Sequence, residues 1–434
     1  MPSLQVITLG CSKNTVDTEH LLSQVQQAYE IVPEGETRPV DVLAINTCGF
    51  IGDAKEQSIQ YILEAAQRKQ AGEVGKLLVF GCLSQRYMDQ MPELIPEVDG
   101  WFGARELDPL VEALGCRPDA SKAHCRVRTD GRHPYAFLKI SEGCNRRCSY
   151  CAIPFIRGAH KSVPMEVLVK EATELAASGV RELVIIAQDT TYYGLDLYGR
   201  RCLAELLRKL SAVEGIEWMR IHYSYPADFP EDVLEEMANN PKVCRYMDIP
   251  LQHVSDTVLE KMHRGVDGAW TRELIRRMRE RVPGVALRTT LIVGHPGESA
   301  ADFKELVAFV KDAAFQRMGA FTYSEEEGTY DAEHFPDTVK PSVKKQRLDK
   351  LMEVQRGISL AYNQSRIGTE VRVLVDDFTD GVLVCRSEFE SPEVDGEILV
   401  KCPASVKAPE SLVGQFLQVR ITAADEYDLT AEVI

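Results

Sequence analysis

Along residues 1–125, short runs rich in valine, leucine and isoleucine alternate with stretches of helical period. Leu4 to Leu9, Val40 to Ile45 and Lys76 to Phe80 read as strands, Asp17 to Gln27 and Asp53 to Lys69 as helices. This alternation predicts a parallel sheet flanked by helices. Residues 116–134 lose periodicity and are punctuated by proline, glycine and polar side chains, as a linker is. Six further strand-like runs follow: Tyr135–Ser141, Glu182–Gln188, Glu217–Tyr223, Arg245–Leu251, Val285–Val293 and Gln316–Ser324. Amphipathic helices such as Met165 to Ser178, Leu203 to Val213, Trp270 to Arg281 and Ala300 to Asp312 separate most of them. Six strand–helix units predict a partial (β/α)6 barrel, with its chemistry in the loops after the strands. Pro341 to Arg366 reads as a long, mostly polar helix with the apolar seam Leu348, Leu351 and Val354. The tail changes character: Val371–Val375, Gly381–Val384, Glu397–Val400 and Phe416–Ile421 are short strands parted by turn residues, which predicts a small antiparallel β-barrel. The expected class is α/β in three domains: a parallel α/β domain at 1–125, a partial barrel at 131–366 and a β-barrel at 367–434.

The three N-terminal strands share an ending. Cys11 follows Leu9-Gly10, Cys48 lies in Asn46-Thr47-Cys48-Gly49, and Cys82 follows Phe80-Gly81. Parallel strands put their carboxyl ends on one edge, where open α/β folds bind ligands. Cys11, Cys48 and Cys82 should therefore converge, each beside a glycine that lets backbone approach a bulky ligand. The plainer reading is three small buried thiols at strand ends. Three at equivalent positions favour a metal cluster.

A second set is local. Cys144, Cys148 and Cys151 have the spacing C-x3-C-x2-C directly after the first barrel strand. Three thiolates in eight residues can hold three irons of a 4Fe–4S cube, leaving the fourth iron open. A structural zinc site would need a fourth cysteine or histidine nearby, and His160, nine residues on, is outside the usual spacings.

Composition adds context. The 434 residues are 44% hydrophobic and 27% charged, so a soluble globular chain is expected. No apolar run approaches the roughly 18 residues of a membrane span, and the amino terminus lacks a signal-peptide pattern. A cytoplasmic location follows as the default, where twelve cysteines point to metal or catalysis rather than disulfides. The net charge of −16 disfavours a chain whose main work is gripping nucleic acid backbone.

The run Cys144-x3-Cys148-x2-Cys151, with Tyr150 before the third cysteine, resembles the signature of the radical S-adenosylmethionine superfamily. The resemblance implies that the methionine part of the cofactor chelates the open iron, and that one-electron reduction releases a 5′-deoxyadenosyl radical. It also implies cofactor contacts by Tyr150, by Gln188 and Asp189 after the second barrel strand, and by Gly294 in Leu291-Ile292-Val293-Gly294-His295-Pro296-Gly297-Glu298. Asp248-Ile249-Pro250-Leu251-Gln252-His253 resembles a strand-end segment usual in that group. Taken alone, each of these could be an ordinary strand terminus. With the N-terminal domain and a tail that resembles a TRAM domain, nearly the whole chain is similar to the methylthiotransferases. That family implies a second 4Fe–4S cluster on Cys11, Cys48 and Cys82, a sulfur donor and an electron donor; no catalytic residue is assigned beyond the cluster ligands. The other cysteines, Cys116, Cys125, Cys202, Cys244, Cys385 and Cys402, fall in no ligand pattern and read as structural.

Known methylthiotransferases modify an aspartate of a small-subunit ribosomal protein or an adenosine of transfer RNA at C2. Thr369–Ile434 carries 14 acidic against 5 basic side chains, a net −9. Such a tail should repel phosphate and attract a basic protein, so the β-carbon of an aspartate in small-subunit protein twelve is the expected target. Against it, Arg126, Arg128, Arg132, Lys139, Arg146, Arg147, Arg157 and Lys161 face only Asp130 and Glu142 within 126–161. That belt keeps transfer RNA as the alternative, although it could equally bind a carboxylate. A non-catalytic iron–sulfur scaffold is the remaining reading.

Overall fold

A computed structural model describes residues 1–129, 133–402 and 407–434. Asp130, Gly131 and Arg132, assigned above to the linker and the basic belt, lie outside the described residues. The chain forms two compact units: Met1–Gly131 with Ser141–Arg146 and Cys151–Lys161, and Arg132–Ile140 with Arg147–Tyr150 and Ser162–Ile434.

In the first unit β1 (Ser3–Thr8), β2 (Glu30–Val32), β3 (Val40–Thr47), β4 (Val74–Gly81) and β5 (Gly100–Trp101) pair in parallel in the order β2-β1-β3-β4-β5. The edge strands β2 and β5 have three and two residues, too few to show a period in sequence. Helices α1 (Ser12–Val25), α2 (Gly52–Gln70), α3 (Cys82–Arg86), α4 (Met91–Leu94) and α5 (Asp108–Ala113) complete the unit. Strand residues alternate between two cores. Leu43, Ile45, Leu77 and Val79 pack with Ile62, Ala65 and Ala66 of α2. Val42, Ala44, Leu78 and Phe80 pack with Leu21, Leu22 and Val25 of α1 and Leu110 and Val111 of α5. Both faces are covered, as a parallel sheet requires.

The second unit holds β6 (Tyr135–Lys139). Two-residue strands β7 (Ser141–Glu142) and β8 (Lys161–Ser162) follow in the chain, with α6 (Ile153–Arg157) between them. Then come β9 (Glu182–Ile186), β10 (Trp218–Ile221), β11 (Val243–Asp248), β12 (Ala286–Val293) and β13 (Arg317–Thr322). All six expected strands join one parallel sheet, ordered β13-β12-β11-β10-β9-β6. The long helix Pro341–Ser365 packs Leu351 into the same core, with Leu348 and Val354 beside it. The tail strands β14 (Glu370–Thr379), β15 (Val382–Arg386), β16 (Ile398–Lys401), β17 (Phe416–Ala424) and β18 (Leu429–Val433) close into a barrel. Its pairings are antiparallel except β16 with β18, which is parallel and completes the ring. Among the described residues no helix is long and apolar enough to cross a membrane.

The tail barrel docks on the amino-terminal ends of the sheet strands. Trp218, Tyr246 and Ala286 bury an apolar seam with Leu374, beside Phe389 and Phe416. Ionic pairs surround it. Arg386 grips Asp376 with two bonds of 2.5 and 2.8 Å and lies 2.8 Å from Glu182, which also holds Arg220 at 2.7 Å. Glu390 pairs with Arg317 at 3.1 Å and with Arg366. Asp395 accepts from Tyr246 at 2.7 Å. Asp376, Glu390 and Asp395 are thus inward-facing acids of the tail, and the steering charge expected from the sequence count is correspondingly smaller.

Burial resists ionisation of Glu390, yet Arg366 and Arg317 hold its carboxyl down at about 2. An unfolded glutamate titrates near about 4.3, so its stabilising contribution is present above that pH and is lost as pH falls toward the folded value. Glu390→Gln should cost about 3–5 kcal/mol at neutral pH, because two buried guanidinium groups lose their counter-charge. Chemical denaturation of the two proteins at pH 7 and pH 3 measures this, and the gap should narrow at the lower pH.

Candidate functional site

Register brings the first three cysteines together. Thr8 pairs with Asn46 and Thr47 with Gly81, so β1, β3 and β4 end nearly level. Asn14, in the first turn of α1, donates from Nδ2 to the carbonyls of Leu9 at 2.7 Å and Thr47 at 3.2 Å, tying two of the strand ends. A methyl on Gly10 would sit 2.8 Å from Cys48 Cβ and 3.2 Å from its Sγ. A methyl on Gly49 would sit 2.7 Å from Leu83 Cα, and one on Gly81 2.5 Å from Asn46 Oδ1. These glycines therefore let neighbouring segments approach one another at the strand ends. Cys11 is exposed, Cys48 half-buried and Cys82 buried.

Arg157, in the last turn of α6, enters this group with a side chain only 2% exposed. Its Nε donates to Cys82 Sγ at 3.2 Å. Nη1 donates to Asp17 at 2.6 Å and Glu142 at 3.2 Å, and Nη2 to Asn14 Oδ1 at 2.6 Å. Burial pushes the Cys48 thiol up and the Cys82 thiol up to about 11, while Arg157 draws both the other way. Three thiols at one sheet edge suit an iron–sulfur cluster, whose binding would displace those protons.

The run from Cys144 to Cys151 is anchored by its own backbone. In the first unit the Cys144 amide donates to Gly158 O at 3.0 Å, and Cys144 Sγ accepts from the Arg146 amide at 3.4 Å. In the second unit the Ser149 amide donates to Met262 O at 3.2 Å, and Ser149 O accepts from the Asp331 amide at 3.0 Å. Arg264, 4% exposed, donates from Nη1 to Cys148 Sγ at 3.3 Å and to Tyr150 Oη at 3.2 Å, and from Nη2 to Pro250 O at 2.6 Å. Its guanidinium lies 4.3 Å from the centre of the Tyr225 ring.

The strand carboxyl ends of the second unit are strained and under-bonded. Tyr223, after β10, and Gln252, after β11, have φ of +58° and +70°, a region that costs bulky side chains about 1–3 kcal/mol. Among the described residues, buried Gln252 Oε1, His253 Nε2 and Tyr323 Oη have no hydrogen-bond partner. Burial pushes the His253 imidazole down to about 3, so it is neutral at physiological pH. Unused polar atoms of this kind fit a polar cofactor such as S-adenosylmethionine. Gly294 takes φ +77° at the end of β12, where its amide donates to Glu298. Gln188 lies at the end of β9. Asp189 Oδ1 accepts from the Thr191 amide at 2.9 Å and hydroxyl at 2.6 Å, so the side chain caps a 3-10 turn just after β9.

The basic belt is also corrected. Arg126 is buried against Glu19, and Arg157 is committed to Cys82 and its carboxylates. Neither is on an exposed basic surface, because each guanidinium has been drawn inward by acids distant in sequence. Of the six cysteines read as structural, Cys202, Cys244 and Cys385 are buried and Cys116, Cys125 and Cys402 half-buried. The sequence reading missed Arg157 and Arg264 as thiol partners. The first left a faint signal, an arginine within the apolar Ile153-Pro154-Phe155-Ile156 turn after the cysteine run; the second left none.

Gly10→Ala should destabilise the fold by more than Gly72→Ala. Both positions have left-handed φ, which costs an L-residue about 1–2 kcal/mol. Only Gly10 also forces a methyl into Cys48, whereas Gly72 faces open space. Denaturation midpoints of the two variants measure the difference, and equal losses would refute the close approach of the strand ends.

Residues 138–310 match the radical SAM superfamily, 367–434 the TRAM domain, and 3–103 an uncharacterised protein family, UPF0004. The chain is 48% identical over 432 residues to the ribosomal protein uS12 methylthiotransferase RimO of Bacteroides thetaiotaomicron, covering 99% of this chain and 98% of that one. The proteins of the same description from Porphyromonas gingivalis and Flavobacterium johnsoniae are each 48% identical, over 99% of this chain and 99% and 97% of theirs. Among solved structures, the cobalamin-dependent S-adenosylmethionine radical enzyme OxsB aligns with a TM-score of 0.55 at 14% identity, over 81% of this chain and 56% of that one. The radical S-adenosylmethionine methyltransferase TsrM of Kitasatospora setae, solved with cobalamin and a [4Fe-4S] cluster, aligns with a TM-score of 0.52 at 15% identity, over 95% and 85%. At such identities these two show the fold alone. Identity of this level along the full length of the relatives, with the cysteine groups described above, leaves one assignment: the chain belongs to the family of ribosomal protein uS12 methylthiotransferases, RimO.

Proposed function

We propose that the chain adds a methylthio group to the β-carbon of an aspartate in ribosomal protein uS12, using S-adenosylmethionine and two 4Fe–4S clusters. The observation that carries this reading is the near-complete coverage at 48% identity by relatives of that description. Cys144, Cys148 and Cys151 would hold one cluster and leave an iron for the cofactor, with Tyr150 and the polar ends of β9, β11 and β12 around it. Cys11, Cys48 and Cys82 would hold the other. When bound, S-adenosylmethionine and the clusters supply the one-electron chemistry and the methyl group that no side chain can supply. The chain's own part is to position: Arg264 fixes Cys148 and Tyr150 to the strand ends, and Arg157 fixes Cys82. An external electron donor and a sulfur donor complete the reaction, which would take place in the cytoplasm with the ribosome.

The transfer RNA reading is weaker for a specific reason: it rested on the belt, and two of its arginines are buried in ion pairs. Mass spectrometry of small-subunit proteins and transfer RNA, from cells with and without this chain, separates the readings. A methylthio mass should disappear from uS12 in its absence; loss from RNA with uS12 unchanged would overturn the assignment. A scaffold predicts no cleavage of S-adenosylmethionine, so 5′-deoxyadenosine formed by the reduced, reconstituted protein excludes it.

Iron content tests the cluster count. Replacing Cys11, Cys48 and Cys82 with alanine should remove about half the iron, as should replacing Cys144, Cys148 and Cys151. Unchanged iron in the first variant would remove the second cluster from the reading.

A further inference from the structure

We propose that Arg264 is a positioning residue that raises the reduction potential of the cluster on Cys144, Cys148 and Cys151. It does so by donating a charge-assisted hydrogen bond to the Cys148 sulfur. The proposal rests on the reading that these three cysteines hold a cluster.

A buried guanidinium is costly unless an anion faces it. Arg157 meets that requirement with Asp17 and Glu142. Arg264 does not: among the described residues no carboxylate lies within ion-pair distance of it. Its polar neighbours are the Cys148 sulfur, the Tyr150 and Tyr225 phenols and the Pro250 carbonyl. Tyr225 also receives the guanidinium on its ring face, 4.3 Å away, and donates its hydroxyl to Arg264 O at 2.8 Å. The cation is therefore surrounded, among the described residues, by phenols, a carbonyl and a thiol, and the cysteine sulfur is the neighbour that becomes anionic when it binds a cluster. A thiolate bound to an iron–sulfur cluster is the anion the site lacks.

The consequence for redox follows directly. Reduction adds one electron to the cluster and forms or breaks no bond, so the product carries one more negative charge. A nearby cation and an N–H donor to a ligand sulfur both favour that product, and both raise the potential. Arg264 comes from a turn 113 residues after Tyr150's neighbour Cys151, so no local pattern in the cysteine run announces it.

The test uses the full chain with Cys11, Cys48 and Cys82 replaced by alanine, reconstituted anaerobically with iron and sulfide and without S-adenosylmethionine. Redox titration with dithionite, followed by electron paramagnetic resonance of the reduced cluster, compares this parent with Arg264→Gln, Arg264→Lys and Tyr225→Phe. Arg264→Gln should shift the one-electron equilibrium at least tenfold toward the oxidised form, a fall of about 59 mV. Arg264→Lys should fall less, since charge is kept. Tyr225→Phe, which loses the anchor to the Arg264 carbonyl and the 3.7 Å contact of the hydroxyl with Cys148 Sγ but keeps ring and guanidinium, should fall less than Arg264→Gln. An unchanged potential in Arg264→Gln overturns the proposal. Weakened binding of S-adenosylmethionine at unchanged potential would also overturn it, making Arg264 a cofactor contact instead. Should Arg264→Gln not retain iron, 15N-arginine labelling of the parent decides. A nitrogen hyperfine coupling to the reduced cluster, lost in Arg264→Lys, supports the proposal, and no coupling overturns it. If the parent itself holds no iron, the cluster reading fails rather than the role of Arg264.

Discussion

Parallel pairing in register is the constraint on which the rest depends. Because β1, β3 and β4 run in one direction and stop nearly level, residues 37 and 34 positions apart arrive at one edge. The same rule in the second unit sends β9, β10, β11 and β12 toward a common edge, where strained backbone and unused polar atoms collect. Buried ion pairs reinforce the second sheet, Arg220 with Glu182 and Arg288 with Asp248 joining neighbouring strands, and the chemistry occupies the loops that those strands leave behind.

Buried charge refines that frame. Three guanidinium groups, Arg386, Arg317 and Arg366, neutralise Asp376 and Glu390 where the tail barrel docks. In the first unit Arg157 is balanced by Asp17 and Glu142 while it reaches Cys82. Arg264 stands apart because its surroundings are neutral. In a low-dielectric interior a cation without a counter-charge is costly, and an anion placed beside it would lower that cost.

The sequence made the strands and helices legible wherever an apolar period ran for five residues or more: all six strands of the barrel sheet and the long helix Pro341–Ser365 were visible. β2 and β5 were not, being too short to carry a period, and β18 was passed over although Leu429-Thr430-Ala431-Glu432-Val433 alternates apolar and polar. The glycines beside the N-terminal cysteines also make room for neighbouring segments of the chain, a packing role that no local pattern announces. Asp189 likewise caps a local turn. Counting charge along the tail was the least secure step, since a count cannot tell an acid facing water from one facing an arginine. The family relation, and not that count, now supports the ribosomal-protein substrate.

What the sequence alone determined was the set of ligands and the class of fold: cysteine spacing is a local property, and strand–helix alternation is written in periods of two and 3.6. What only the tertiary structure decided was the second shell of charge. Arg157 and Arg264 reach their sulfurs from segments whose local composition describes a turn and nothing more. The physical reason is that a charged side chain's partner is set by the packing of elements distant in the chain, and sequence separation carries no trace of that proximity.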